Sequence, residues 1–87
     1  MDPYFLIEDQ KKNVYRTPTM QDVGKNPKWN HTLEVPIESL DEILRIAVYD
    51  EDMINDTLIG DENYKASTLL GKNSSGRPQT LTINFKS

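Results

Sequence analysis

Ile43-Leu-Arg-Ile-Ala-Val-Tyr49 is the stretch of sequence that decides the fold, because it carries the strongest strand signal in the chain. In an extended segment, successive side chains point to opposite faces. One face receives Leu44, Ile46 and Val48, and the other receives Ile43, Ala47 and Tyr49. Both faces are largely apolar, so the segment predicts a strand in the centre of a sheet.

Further short segments with the pattern of strands lie on both sides of it: Tyr4–Ile7, Val14–Thr17, His31–Ile37, Leu58–Tyr64 and Thr80–Phe85. The first two are separated by a polar turn and predict a hairpin. Pro36 limits its strand to a sheet edge or a strand end. Six short strands at regular spacing in 87 residues predict a single all-β domain, a sandwich or a barrel.

The connections are predicted from turn and cap residues. Ser39-Leu-Asp-Glu42 has the spacing of a capping box and predicts one helical turn with Ser39 as N-cap. Ala66–Leu70 predicts a second short helical turn. The stretches 23–27 and 71–78 are rich in loop residues. Trp29 is expected to be a structural ring packed beside the first of these loops.

Composition excludes several classes of protein. The chain has no cysteine, which rules out disulfides and thiolate zinc sites and fits a reducing compartment. No apolar run is long enough to span a bilayer. The formal net charge of −4 argues against binding nucleic acid or an anionic membrane by charge alone.

Asp50-Glu-Asp-Met-Ile-Asn-Asp56 is an acidic stretch directly after the central strand. Its carboxylates repel one another, and no basic residue lies between Arg45 and Lys65 to neutralise them. Hard oxygen ligands suit Ca²⁺, so the stretch predicts a cation site, with a solvated turn as the alternative. An EF-hand is excluded, because Asn55 stands where that loop needs glycine and the flanking segments are strands.

Three motifs, taken together and in this order, resemble the C2 domain family. They are Asp2-Pro-Tyr-Phe5, Asn26-Pro-Lys-Trp-Asn30, and Val48-Tyr-Asp-Glu-Asp52 followed by Asp56-Thr-Leu-Ile-Gly60. The resemblance implies an antiparallel Greek-key β-sandwich with eight strands, of which about six are present. Residues 1–87 are therefore expected to form a single partial C2-like domain.

The resemblance also implies a set of site residues. The Ca²⁺ ligands would be Asp2, Asp50, Asp52, Asp56 and the backbone carbonyl of Glu51. Met53 and Ile54, at the tip of the same loop, would contact a membrane, and Lys11, Lys12 and Arg16 would form a basic patch for lipid headgroups. The family's first two strands and the aspartate of its first loop are not found in this sequence, so one Ca²⁺ is a better expectation than two. For the basic residues, a solubilising surface is the alternative.

The function expected from this resemblance is Ca²⁺-dependent docking to anionic phospholipid membranes, on the cytoplasmic side as a peripheral protein. The alternative is a Ca²⁺-independent protein-interaction or scaffold module, in which a partner chain pairs with an open sheet edge. An enzyme is not favoured. His31 is the only histidine, there is no cysteine, and no nucleotide-binding or hydrolase motif is present.

Overall fold

The computed structural model describes residues 2–20, 30–71 and 76–86. Within them are six strands and one short helix: β1 (Pro3–Glu8), β2 (Val14–Arg16), β3 (Asn30–Ile37), β4 (Ile43–Asp50), β5 (Thr57–Lys65), α1 (Ala66–Leu70) and β6 (Gln79–Lys86). All six predicted strands are confirmed, and so is the short helix. The chain is an all-β sandwich with antiparallel strands in two sheets.

The larger sheet has four strands in the order β2-β1-β4-β5, and every pairing in it is antiparallel. β4 lies between β1 and β5, as its two apolar faces predict. Leu44 and Ala47, on opposite faces of β4, are both fully buried. A register shift between Val48 and Tyr49 interrupts the pairing with β5 just before Asp50. Such an irregularity bends a strand locally and changes the direction of the residues that follow it.

The smaller sheet pairs β3 with β6. Leu33 lies opposite Ile83, and Val35 opposite Leu81, so the inward faces predicted for the two strands meet. Pro36 lies opposite Thr80 in this two-stranded sheet, which agrees with the predicted edge position because proline cannot donate a ladder hydrogen bond.

The core lies between the two sheets and is closed at one end by α1. Its buried members are Ile7, Val35, Ile37, Leu44, Ala66, Leu70 and Leu81. Burying a side chain of the size of leucine or isoleucine contributes about 1.5–3 kcal/mol to folding. Among the described residues, two strands cover only part of the inner face of four. Toward β5 this face therefore keeps an open apolar groove of about 460 Å³, lined in part by Ile46, Val48, Tyr64 and Leu69.

The prediction of a helical turn at Ser39–Glu42 was wrong. The segment is a hydrogen-bonded turn in which the Glu42 amide donates to the Ser39 carbonyl at 3.2 Å. The Ser39 hydroxyl accepts from the Asp41 amide, and the Glu42 carboxylate accepts from the Glu38 amide. The capping residues are used, but no helix propagates, because the next residue, Ile43, already begins β4.

The turn between β1 and β2 is built around Asp9, which is only 6% exposed. Its carboxylate accepts hydrogen bonds from the Lys11 amide at 2.9 Å, the Asn13 amide at 2.8 Å and the Asn13 side chain at 3.0 Å. Lys12 has a positive φ of 69°, which the tight turn requires. Burial acts to raise the pKa of Asp9, but the hydrogen bonds from Asn13 and Lys11 outweigh it and hold that pKa below its ordinary value.

Several predictions lie outside the described residues. They are the loop at 23–27, the packing of Trp29, and the part of the second loop at 72–75.

Candidate metal and membrane site

The acidic loop, residues 51–56, connects the end of β4 to the start of β5. Asp2 lies beside it, because β1 pairs with β4 and sets Pro3 opposite Asp50. The Asp2 amide donates to Asp50 Oδ1 at 2.9 Å, and the Glu51 amide donates to the Asp2 carbonyl at 2.9 Å. Residues 48 positions apart in the sequence therefore meet at one end of the sandwich.

The tip of the acidic loop is apolar and fully accessible. Met53 and Ile54 have side chains that are 101% and 88% exposed. The Met53 amide donates to Asp52 Oδ1 at 2.6 Å, which fixes the turn that presents this tip. An apolar pair is thus held in water beside a group of carboxylates.

Asp56, the last residue of the acidic loop, is held by two hydrogen bonds. Its Oδ2 accepts a hydrogen bond of 2.5 Å from the hydroxyl of Tyr4, and its Oδ1 accepts one of 3.2 Å from the Asp52 amide. The hydrogen bond from Tyr4, followed by the one from Asp52, lowers the pKa of Asp56. Burial of Tyr4 and its hydrogen bond to Asp56 raise the pKa of that tyrosine to about 12.

Tyr4 belongs to a row of arginine and tyrosine side chains along the outer face of the larger sheet. The Arg16 guanidinium lies 3.5 Å from the centre of the Tyr4 ring, and Tyr4 stacks on Tyr49 with 5.5 Å between ring centres. Arg45 then donates to the Tyr49 hydroxyl at 3.0 Å and to Asp61 at 2.8 Å. Cations close to aromatic rings are attracted to the ring faces.

The structure separates the three basic residues expected to form a lipid patch. Lys11 and Lys12 lie in the turn between β1 and β2, where Lys11 pairs with Glu38 at 2.8 Å. Arg16 lies over the ring of Tyr4 and is fixed by the Thr19 hydroxyl at 2.8 Å and the Thr17 carbonyl at 3.1 Å. Arg16 is therefore next to the acidic loop rather than beside the two lysines.

The carboxylates fit Ca²⁺ by their chemistry but not by their arrangement. Asp2, Glu51, Asp52 and Met53 line an opening of about 300 Å³, and carboxylate oxygens are the donors that Ca²⁺ prefers. Yet the described residues contain no group of three or more acidic, histidine or cysteine side chains placed to hold a metal ion. Asp56, the residue expected to complete the set, has both oxygens engaged by Tyr4 and Asp52.

With the strand pairing and the acidic loop in place, comparison with known proteins identifies the fold family. Residues 1–82 match the C2 domain. The chain belongs to the C2 domain family. Two relatives of this C2 domain are the mouse "Multiple C2 and transmembrane domain-containing protein 2", 34% identical over 68% of the chain, and Tricalbin-1 of Saccharomyces cerevisiae, 34% identical over 83%.

The C2 domain spans only 7% and 6% of the lengths of these two relatives. No solved structure gives a significant match. Within the described part of the chain, no helix has the length and apolar character needed to cross a membrane.

Sequence reasoning missed the contacts that join the acidic loop to Tyr4 and, through the ring of Tyr4, to Arg16. The sequence places Tyr4 in a family motif and predicts Arg16 in a lipid patch, but it connects neither residue to Asp56. The alternation of side chains along β1 is a signal for Tyr4, because it puts Tyr4 on the same face of the sheet as Tyr49, its neighbour in β4. No local pattern indicates a contact between residues 52 positions apart.

Proposed function

We propose that this C2 domain docks on anionic phospholipid membranes through the acidic loop, in a Ca²⁺-dependent manner, as a peripheral protein on the cytoplasmic side. The observation that carries the proposal is the exposure of Met53 and Ile54, at 101% and 88%, beside a set of carboxylates. Insertion of adjacent apolar side chains at a loop tip into the headgroup region of a bilayer is favourable, because it removes their apolar surface from water.

The charges explain why such docking depends on a cation. Carboxylates around the tip repel an anionic lipid surface, and the chain as a whole carries a formal charge of −4. The ligands implied by the family resemblance are Asp2, Asp50, Asp52, Asp56 and the Glu51 carbonyl. Of these aspartates, Asp2 and Asp52 line the opening, and Asp56 would have to give up its hydrogen bonds to Tyr4 and Asp52 to join them. Bound Ca²⁺ would neutralise this end of the domain and offer coordination positions to phosphate oxygens. The acidic loop would hold Met53 and Ile54 at the depth of the lipid headgroups.

The test is co-sedimentation with vesicles of phosphatidylserine and phosphatidylcholine, with and without millimolar Ca²⁺. We expect binding with Ca²⁺, its loss after chelation, and none to pure phosphatidylcholine. Asp52→Asn should weaken the Ca²⁺-dependent binding at least about tenfold, because it removes an anionic oxygen from the opening. Asp41→Asn, an exposed aspartate in the turn before β4, is the matched control and should bind as the wild type does. Equal binding with and without Ca²⁺ contradicts the cation dependence.

A second candidate function, protein binding at the open edge of the larger sheet, is favoured by β5. All nine of its residues are exposed, and among the described strands it pairs only with β4. The apolar groove on the inner face runs along this strand, and Glu62 lies in its wall. Within the described residues, Glu62 forms no ion pair. The fitting partner is an extended segment of another protein in which apolar side chains alternate with basic ones.

This candidate is tested with a short peptide of alternating valine and lysine, whose binding is followed by fluorescence anisotropy without Ca²⁺. Glu62→Lys should weaken binding about tenfold, because a repulsive pair replaces an attractive one. Glu34→Lys, a charge reversal on the exposed side of β3, is the control. If both variants bind as the wild type does, the groove is not the binding site.

A further inference from the structure

Gly60 lies near the middle of β5, where neither the backbone nor the surroundings require a glycine. Its φ is outside the left-handed region, and a Cβ built on it would meet no described atom within 4 Å. The irregularity in the pairing of β4 with β5 falls one residue earlier, at Ile59, while Gly60 keeps Val48 as its partner. Glycine weakens a strand interior, and where no bulge or bend needs it, it often marks the close approach of a ligand or another backbone.

The space above Gly60 belongs to the apolar groove on the inner face of the larger sheet. Gly60, Glu62 and Tyr64 lie opposite the apolar residues of that face in β4, so the three share it. All three line the groove, whose volume is about 460 Å³. From the outer edge of the sheet, the groove is therefore bordered in turn by a position without a side chain, a carboxylate and an aromatic ring.

A segment that pairs with the open edge of β5 would set its inward side chains opposite these three positions. The described sheet is antiparallel throughout, and antiparallel pairs are slightly more stable than parallel ones. Residues directly opposite each other in such a pair contact on one face, and opposite charges there are favourable. An aromatic side chain that pairs with an edge glycine covers the backbone which the glycine leaves open.

We propose that Gly60 is a specificity-determining position of the β5 edge, which selects a partner segment with an aromatic residue two positions after a basic one. The proposal rests on the second candidate function, because it concerns the same edge and groove. Read from its N-terminus, the antiparallel segment has an apolar residue opposite Tyr64, a basic residue opposite Glu62 and an aromatic residue opposite Gly60. One residue that faces away from the groove separates each from the next.

A second copy of this chain does not fit this edge. Its β5 could supply Tyr64 as the aromatic residue opposite Gly60. Glu62 lies midway between those two positions, so the same antiparallel register sets the two Glu62 carboxylates opposite each other, and like charges there are destabilising. The formal charge of −4 on each chain adds to the repulsion. The occupant is therefore a segment of another protein that carries the basic residue.

The test compares two heptapeptides of equal composition by fluorescence anisotropy without Ca²⁺. Both are threonine with valine second and lysine fourth. Phenylalanine is sixth in the matched peptide and fifth, on the opposite face, in the shifted peptide. We expect the wild type to bind the matched peptide about fivefold more tightly. Gly60→Phe fills the space with its own ring and should remove this preference. Asn63→Phe, the same side chain on the outer face of β5, is the control and should keep it.

The comparison on the wild type decides by itself, without any variant that must fold. Equal binding of the two peptides overturns the selection, and so does a preference that Gly60→Phe keeps. If the peptides bind equally and Glu62→Lys weakens both, the second candidate function stands and only the selection fails. If neither peptide binds the wild type, both fail. Sedimentation velocity tests the other occupant: a wild-type dimer that Gly60→Phe dissociates would assign the edge to a second copy and overturn the proposal.

Discussion

Replacing Met53 and Ile54 together by serine should reduce partitioning onto phosphatidylserine vesicles in Ca²⁺ about thirtyfold. Both side chains are almost completely exposed, so the protein in solution buries very little of their apolar surface. Partial insertion of the pair into the interface would contribute about 2 kcal/mol, less than the 1.5–3 kcal/mol for complete burial of each. That free energy corresponds to a factor of about thirty in the partition coefficient. The measurement is vesicle co-sedimentation over a range of lipid concentrations.

The fold should not be affected, because neither side chain packs against the core. Thermal unfolding of the double variant is expected to match that of the wild type. Val14→Ser is the matched control, since Val14 is 51% exposed on β2 and lies away from the acidic loop. Its partitioning should stay at the wild-type level. An equal loss in both variants would mean that general surface apolarity, and not the loop tip, drives binding.

The strands were predictable because their signal is local. Side chains in β4 point alternately to the two faces of the sheet, with the two-residue period of a pleated strand. Because both faces of β4 are apolar in the sequence, burial on both sides could be predicted. The turn at Ser39–Glu42 was mispredicted, because a capping box indicates only how a helix would start. Whether it continues depends on the next residues, and here β4 begins at Ile43, with its amide bonded to the side chain of Gln10.

The acidic loop shows where sequence reasoning stops. The pairing of β1 with β4 places Asp2 beside Asp50, as the family resemblance implied. The direction of the Asp56 side chain was not predictable, because it depends on a tyrosine in β1. Likewise, Asp61 belongs to the stretch between Arg45 and Lys65 that contains no basic residue, yet antiparallel pairing of β4 with β5 brings the Arg45 guanidinium within 2.8 Å of its carboxylate. Side-chain contacts between distant strands carry no sequence period.

Asp9→Ala should lower the free energy of unfolding by about 2–3 kcal/mol, measured by urea denaturation at neutral pH. The carboxylate is buried and accepts three hydrogen bonds that hold the turn between β1 and β2. Removing it leaves two backbone amides and the Asn13 side chain without this acceptor, and lost hydrogen bonds to a charged group are the costly kind. The loss is large for a chain of this size, whose total stability is expected to be only about 4–13 kcal/mol.

Asp9→Asn distinguishes the contribution of the carboxylate charge to stability from that of the hydrogen-bond acceptor. Both backbone amides donate to Oδ1, which asparagine keeps as an acceptor, so we expect about half the loss seen with alanine. The pH dependence gives a second check. Since folding lowers the pKa of Asp9, its contribution is complete above the ordinary value of 3.8 and disappears as the pH falls through the lower pKa of the folded state. The stability difference between wild type and Asp9→Ala should therefore narrow below pH 3.8. A difference that stays constant down to acid unfolding would show that the Asp9 charge does not hold the turn.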